Sequence, residues 1–267
     1  MKTNFFAPLT SRGISSISPP PPWHYAGDVL VVDFWARPEA VAALLPAELQ
    51  VDSKAEGHAQ AYFIDWQFTA GHDELLNPER YQYREFFILV DALFDGKPVA
   101  YCTYIFVDND AAMARGWAQG FPKRLGTVAQ TRTFSAKGPA ATKLTAGSQF
   151  GGTASTSGQR IAKGIVTLEK PVPDLAALGA RPTVNMRHFP RLAAGQWERP
   201  AVHELVESVM DNLTLTDVWM GKGELILPEC DGEEISDLAP LRCGNGYRMC
   251  MSYSVTDLKT LVDHSAK

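Results

Sequence analysis

Two long runs of strand-forming residues joined by a tight turn constrain the fold of this chain more than any other feature. Residues 59–107 are rich in β-branched and aromatic side chains, and the tetrapeptide DGKP at 95–98 divides them. A turn of this composition between two such runs predicts a β-hairpin. We therefore expect this part of the chain to be a sheet.

Strand-like runs recur before and after the hairpin, and glycine or proline separates them. Such spacing is typical of a mainly β, antiparallel architecture. The runs lie at 27–36, 142–147, 164–170, 213–221, 223–229 and 247–255.

Two segments carry the pattern of an amphipathic helix instead. Residues 37–49 place Pro38 at the first helical position, ahead of apolar residues that share one face. Residues 199–212 have apolar side chains at the i, i+3, i+4 and i+7 positions, which also predicts a helix. The second helix would turn His203 and Glu204 toward solvent.

The composition is that of a soluble globular protein and excludes two classes of partner. The 267 residues are 45% hydrophobic and 21% charged, with a net charge of -5. No basic stripe is present that could neutralise a row of phosphates, so nucleic acid is not expected as a partner. The longest apolar runs are too short to cross a bilayer, so a membrane is not expected either.

The N-terminal segment and the cysteines predict a cytoplasmic protein without a metal or cofactor. Residues 1–23 lack the charged head and long apolar segment of a secretory signal, and they are expected to form an extended, proline-rich leader. The whole chain, 1–267, is expected to be one domain. The four cysteines form no CxxC pair, and the six histidines show no metal-ligand spacing.

The heptapeptide GFPKRLG at 120–126 is the strongest indication of chemistry. It places two cations, Lys123 and Arg124, side by side. A lysine is nucleophilic at neutral pH only if its ammonium form is disfavoured, which burial and a neighbouring cation can both do. Adjacent side chains of an extended segment point to opposite faces, so burial is expected to dominate with Arg124 as helper. For the dipeptide alone, a solvated surface loop is the alternative interpretation.

Several segments, including this heptapeptide, resemble the acetoacetate decarboxylase superfamily. In that superfamily the Schiff-base lysine stands in a Pro-Lys-Lys or Pro-Lys-Arg motif followed by Leu-Gly. The similar segments lie at 46–52, 108–126, 184–190 and 213–227. The resemblance implies a closed, cone-shaped antiparallel β-barrel with a flanking sheet and a few helices, and an active Lys123 inside the cone. It also implies a homo-oligomer.

Glu85 matches the catalytic glutamate of the family when residues are counted back from the lysine motif across the hairpin. In a strand over 83–90, Glu85 shares one face with Tyr83 and is flanked by apolar residues. An exposed carboxylate paired with Arg84 or Arg80 is the alternative. The resemblance implies that Glu85 moves protons beside the lysine.

Three polar residues are candidates for binding the substrate. Gln119 lies four positions before Lys123, Tyr83 shares the face of Glu85, and Tyr253 ends an alternating stripe in the last predicted strand. Their amide and hydroxyl groups could hold a carboxylate or carbonyl oxygen, or move protons. Each could equally be an ordinary core or rim residue.

Two departures from the decarboxylases proper bear on the reaction. The arginine of their first strand falls here on Gly27 or Asp28, and their second glutamate has no clear counterpart, with Gln60 and Asp65 the nearest polar residues. The resemblance therefore favours an imine-forming carbon–carbon lyase of the aldolase-dehydratase type. Such an enzyme condenses pyruvate or a similar 2-oxo acid with an aldehyde on Lys123, or runs the reverse reaction. Two alternatives stay open: a decarboxylase of acetoacetate or another β-keto acid, and a β-barrel that binds small molecules without catalysis.

Overall fold

A computed structural model describes residues 5–174 and 178–265 of the chain. In these two ranges 14 strands join one sheet, and three α-helices and short 3₁₀ turns connect them. Helices α1, α2 and α3 span Pro38–Leu44, Pro78–Tyr81 and Asp110–Ala118.

The strands are numbered in chain order. They are β1 (Trp23–Trp35), β2 (Gln50–Val51), β3 (His58–Thr69), β4 (Tyr83–Phe94), β5 (Lys97–Val107), β6 (Lys123–Leu125), β7 (Thr127–Gln130), β8 (Gln149–Thr156), β9 (Gln159–Pro171), β10 (Thr183–Phe189), β11 (Val202–Ser208), β12 (Asp211–Ile226), β13 (Arg242–Val255) and β14 (Leu258–Asp263).

The sheet is mainly antiparallel, which confirms the predicted fold class. Its strand order is β14-β11-β10-β5-β4-β3-β1-β13-β12-β9-β8-β7, with β2 beside β4 and β6 beside β5. Only the β5–β10 and β5–β6 pairs are parallel among the described strands. The β4–β5 hairpin turns at Asp95 and Gly96, which both have positive φ (48° and 74°). Positive φ at both central residues defines a type I′ turn, whose twist matches that of the two paired strands.

The hydrogen-bonded path does not close into a ring in the described part of the chain, because β14 and β7 have free outer edges. Residues 123–130, here called the bridging segment, span the gap between β5 and β8. The first part of the segment is β6, which pairs with β5, and the second part is β7, which pairs with β8. Between them, Gly126 N donates to Val107 O at 2.8 Å. The connection between β5 and β8 is thus made by the covalent chain of the bridging segment and not by continuous hydrogen bonding between strands.

Successive residues of the central strands serve two different layers, because side chains alternate across a sheet. One face packs into the main hydrophobic core, to which it contributes Leu30, Val32, Phe63, Phe86, Ile88 and Phe106. The other face lines a cavity, to which it contributes Val29, Val31, Tyr62, Glu85, Phe87 and Met249. The resemblance implied a lysine inside a closed cone; Lys123 lies in this cavity, on the face opposite the main core.

Three local predictions were wrong. Residues 202–208 form strand β11, not a helix, because β10 and β14 pair with both of its edges. Residues 142–147 form a loop with a single bridge at Thr142. The runs at 213–221 and 223–229 are not two strands, since β12 continues through Gly221 and Gly223 to residue 226.

The first helix and the N-terminal segment follow local sequence signals. Helix α1 begins at Pro38 and ends at Leu44, as the proline positions predict. Residues 5–22 form turns and bends without a helix or strand, and Trp23 Nε1 donates to Pro19 O at 2.9 Å. In the described ranges, no helix is long and apolar enough to span a membrane.

Candidate active site

Lys123 and Glu85 form a buried ion pair at one end of the cavity. Lys123 Nζ lies 2.5 Å from Glu85 Oε2, and both side chains are only 7% exposed. Strand pairing produces this contact: Glu85 stands opposite Val107 on β5, and Lys123 stands opposite Ile105 on the other edge of the same strand. The solvated loop and the exposed carboxylate, considered above as alternatives, do not occur.

Helix α3 shapes the channel in which the lysine side chain lies. Asn109 caps the helix by accepting from Ala112 N at 2.8 Å. A Cβ at Gly116 would stand 2.2 Å from Lys123 Cδ, so only glycine lets the lysine chain cross the helix here. Trp117 Nε1 donates to Lys123 O at 2.8 Å and ties the backbone of β6 to the same helix.

The second oxygen of Glu85 is held by an indole. Trp66 Nε1 donates to Glu85 Oε1 at 3.2 Å, and Trp66 is 2% exposed. A Cβ at Gly27 would stand 2.5 Å from Trp66 Cε3, so the absence of a side chain at position 27 makes room for the indole. Where the decarboxylases carry an arginine, this chain therefore accommodates a tryptophan ring. Asp28, the other candidate for that position, pairs instead with Arg248 at 2.8 Å.

Arg124 does not reach the ion pair. Its side chain is 55% exposed, and its Nη1 lies 2.7 Å from Glu233 Oε2. The guanidinium lies 5.4 Å from the centre of the Phe106 ring, on the side away from the cavity. The alternation of side chains along β6 places the two adjacent cations in different environments, as the extended-segment argument predicts.

Tyrosines surround the ion pair together with Gln119. Tyr83, Tyr253 and Tyr25 line the same end of the cavity, and the rings of Tyr25 and Tyr253 stack at 5.1 Å. Burial raises the pKa of all three hydroxyls above the ordinary tyrosine range. At neutral pH they are therefore protonated and able to donate a hydrogen bond. We call this set, with Lys123 and Glu85, the reactive end of the cavity.

A buried arginine behind the reactive end has no counter-ion in the part of the chain that the structure describes. Arg115 is 1% exposed, and its guanidinium lies 3.7 Å from the centre of the Phe68 ring. Its guanidinium interacts with the hydroxyl of Tyr25 and forms no ion pair with a described carboxylate. The charge of Arg115 partly opposes the burial that raises the pKa of Tyr25. Because Lys123 and Glu85 balance each other, the Arg115 charge leaves the reactive end positive.

Sequence reasoning missed Tyr25, Trp66 and Arg115. The first two lie on strands β1 and β3, and only the strand register brings them to Glu85. Arg115 gave a usable signal, since it is the only cation in a helix made mostly of small and apolar residues. A lone cation on a helix that is otherwise buried has to be paired or available to a ligand.

The cavity has a volume of about 260 Å³ and extends from the reactive end along the central strands. No group of three or more His, Cys, Asp or Glu side chains in the described ranges could hold a metal ion. The four cysteines are free thiols.

Comparisons with known proteins identify similar chains over almost the full length. The family model described as "Acetoacetate decarboxylase (ADC)" matches residues 6–265. A structure of the enduracididine biosynthesis enzyme MppR complexed with the condensation product of pyruvate and imidazole 4-carboxaldehyde is 33% identical, with a TM-score of 0.89 and coverage of 99% of this chain and 98% of that chain. MppR complexed with pyruvate is also 33% identical, with a TM-score of 0.88 and coverage of 99% and 100%.

An acetoacetate decarboxylase-like enzyme from Sphingomonas wittichii RW1 is a more distant match. It is 26% identical, with a TM-score of 0.85 and coverage of 98% of both chains. No curated protein matches the sequence.

Proposed function

This chain belongs to the acetoacetate decarboxylase family, and we propose that it is an imine-forming carbon–carbon lyase of the aldolase-dehydratase type. Its substrates are pyruvate, or a similar 2-oxo acid, and an aldehyde. The observation that carries the proposal is the buried contact between Lys123 Nζ and Glu85 Oε2 at one end of the cavity. MppR, at 33% identity, binds both pyruvate and a product of its condensation with an aldehyde.

The ion pair supplies both the nucleophile and the proton carrier. Transfer of one proton from Lys123 to Glu85 gives a neutral amine without help from solvent. The amine attacks the ketone carbon, and Glu85 returns the proton to the oxygen. A second proton moves from the nitrogen to the same oxygen, which leaves as water as the protonated imine forms. Glu85 then removes a proton from the methyl carbon, which gives an enamine.

The enamine carbon bonds to the aldehyde carbon, and the aldehyde oxygen takes a proton to become a hydroxyl. The same enamine carbon then loses its second proton, and the hydroxyl takes up a proton and leaves as water. Hydrolysis of the imine releases the unsaturated oxo acid and restores Lys123. Tyr83 and Tyr253, which are protonated and line the same space, are placed to donate to the aldehyde oxygen and to the departing hydroxyl.

The positive charge of Arg115 favours a 2-oxo acid over a β-keto acid. A carboxylate bound near Tyr25 and Gln119 would balance the guanidinium, which forms no ion pair with a described carboxylate. Decarboxylation requires that the carboxylate lose its charge as carbon dioxide, and a fixed cation opposes that loss. Because Arg124 is exposed and Glu233 balances its charge, the proposed mechanism gives it no contact with the substrate.

Borohydride reduction tests the proposal. The protein is reduced with pyruvate and, separately, with acetoacetate, and the peptide that contains Lys123 is analysed by mass spectrometry. We expect a pyruvate adduct on Lys123, no adduct in a folded Lys123→Ala variant, and no release of carbon dioxide from acetoacetate. If neither compound forms an adduct on Lys123, the enzymatic function is ruled out and a binding protein is favoured. Carbon dioxide release from acetoacetate would favour the decarboxylase.

We further propose that the protein works in the cytoplasm as a homo-oligomer. Four free thiols suit a reducing compartment, and Leu192 and Trp197 are large exposed apolar residues that a partner subunit could cover. Light scattering coupled to size-exclusion chromatography checks the oligomeric state.

A further inference from the structure

The end of the cavity opposite Lys123 carries a connected set of polar groups, which we call the far end. Gln60 Nε2 donates to Asp33 Oδ1 at 2.8 Å, and Tyr62 Oη donates to Gln60 Oε1 at 2.8 Å. Beside them, His58 Nδ1 and Asp91 Oδ2 lie 2.9 Å apart. All five side chains line the same cavity as the reactive end.

The two ends are separated by a distance that a second substrate can span. Along β4, Gln60 stands opposite Leu89, four residues beyond Glu85. At a rise of about 3.3 Å per residue, this is roughly 13 Å. Pyruvate has three carbons and occupies only the reactive end, so the rest of the cavity is available to the group carried by the aldehyde.

The walls between the two ends are apolar and aromatic. The rings of Tyr62 and Phe87 stack at 4.6 Å with an interplanar angle of 10°, and Val31, Met249 and Phe121 complete the walls. A flat ring is the kind of group that packs well against such surfaces.

The hydrogen-bonding groups of the far end are mostly acceptors. One amide hydrogen of Gln60 and the hydroxyl hydrogen of Tyr62 are already used inside the set. Asp33 and Asp91 contribute carboxylates, and Arg181, the nearby cation, is shared between Asp91 at 3.0 Å and Asp52 at 2.9 Å. Burial raises the pKa of Asp33, although Gln60, His58 and the hydroxyl of Tyr247 oppose the rise. A ligand that donates a further hydrogen bond to Asp33 would stabilise this buried carboxylate.

We propose that the far end selects the aldehyde: the cavity takes an aryl or heteroaryl aldehyde whose ring lies against Tyr62 and Phe87 and whose remote O–H or N–H group donates to Asp33. This inference rests on the proposed function, because it assigns the second substrate of that reaction. Opposite charges at the two ends, Arg115 behind one and Asp33 at the other, would fix the orientation of the condensed product.

Binding of two unreactive alcohols tests the inference without requiring catalysis. The full chain is titrated in a calorimeter with 4-hydroxybenzyl alcohol and with 4-methylbenzyl alcohol, which match in shape and differ in the remote donor. We expect the hydroxyl compound to bind about tenfold more tightly, the difference typical of one hydrogen bond to a charged group. Asp33→Asn keeps an acceptor but removes the charge, and it should reduce the preference to about threefold or less. Asp65→Asn is the matched control, since Asp65 lies on β3 and pairs with Arg132 at 3.2 Å outside the cavity.

Equal binding of the two alcohols to the unaltered protein would overturn the inference. This comparison does not depend on whether Asp33→Asn folds. A preference that is undiminished in Asp33→Asn would also overturn it. Borohydride trapping of pyruvate is measured in parallel. If pyruvate is not trapped but the hydroxyl compound still binds more tightly, the proposed function is wrong and the far-end site is retained. The two failures are therefore distinguishable.

Discussion

At the scale of single residues, burial and Glu85 determine the surroundings of Lys123, and its charged neighbour in sequence does not. Glu85 lies in contact with it, whereas Arg124 is turned to Glu233 at the surface. The motif and the family resemblance identified the lysine and the glutamate from sequence. They could not identify Trp66 or Arg115, because those residues reach the site through strand register and helix packing, which no short motif records.

Glu85→Gln should separate imine formation from turnover. The amide still accepts a hydrogen bond but cannot carry a proton, so we expect kcat to fall by about 100-fold or more while a pyruvate adduct remains detectable. Steady-state kinetics and borohydride trapping measure the two effects. Glu207→Gln, on strand β11 and paired with Lys259 at 3.2 Å, is a control that should leave both unchanged. Full turnover in the Glu85 variant would remove this residue from the mechanism.

Gly116→Ala should displace the lysine without unfolding the protein. The new Cβ would stand 2.2 Å from Lys123 Cδ, and the flexible side chain rather than the helix is expected to give way. We expect the rate of adduct formation with pyruvate to fall by about tenfold or more, which is typical of a misplaced reacting group, with little change in Tm. Gly138→Ala has open space around its Cβ and serves as the control. An undiminished rate would show that Gly116 does not position the lysine.

At the scale of secondary-structure elements, the predictions that held rest on local signals. Pro38 marks the start of α1, and Asp95 and Gly96 form the turn of the β4–β5 hairpin. Strand β11 is an element that local sequence patterns do not predict. Its Leu205 and Val206 are both fully buried, and the sequence fits a helical stripe as well as a strand. The ladders with β10 and β14 decide the outcome, and they involve residues remote in sequence.

Glu74→Gln should destabilise the turn that follows β3. Glu74 Oε2 accepts from Thr69 Oγ1 at 2.9 Å, Ala70 N at 3.1 Å and His72 N at 3.0 Å. Burial would raise the pKa of Glu74, but these donors outweigh it and hold the pKa below the ordinary value. We expect the variant to lose about 1–2 kcal/mol of unfolding free energy at pH 7.

The pH dependence of this loss follows from the lowered pKa. A carboxyl group whose pKa is lower in the folded state contributes its full stability above the unfolded value, about 4.3, and loses it as the pH falls through the folded value. Urea titrations at several pH values should therefore show the difference between the two proteins shrinking in acid. A difference that is constant with pH would contradict the role of the Glu74 charge.

At the scale of the whole molecule, the bridging segment connects β5, inside the strand order, to β8 near the other end of the sheet. A Cβ at Gly126 would stand 2.8 Å from the backbone oxygen of Ser155 and 3.1 Å from Phe106 Cβ, and neither neighbour can move easily. Gly126→Ala should therefore lower the unfolding free energy by about 1–3 kcal/mol, seen as a lower urea midpoint with an unchanged slope. Gly151→Ala on β8 meets its nearest atom at 3.8 Å and should not destabilise the protein. Equal midpoints for the two variants would contradict the tight fit at Gly126.

Lys123 is the first residue of that bridging segment, and this has a consequence for the life of the chain before it is folded. The strands that surround the lysine come from residues 23–35, 58–69, 83–107 and 242–255, so the surroundings of Lys123 are complete only when both the early and the late parts of the sequence are in place. In an unfolded chain, Lys123 is a hydrated ammonium, which is not a nucleophile. Under the proposed function, reactivity toward carbonyl compounds is therefore a property of the folded protein, and a newly made or damaged molecule should lack it.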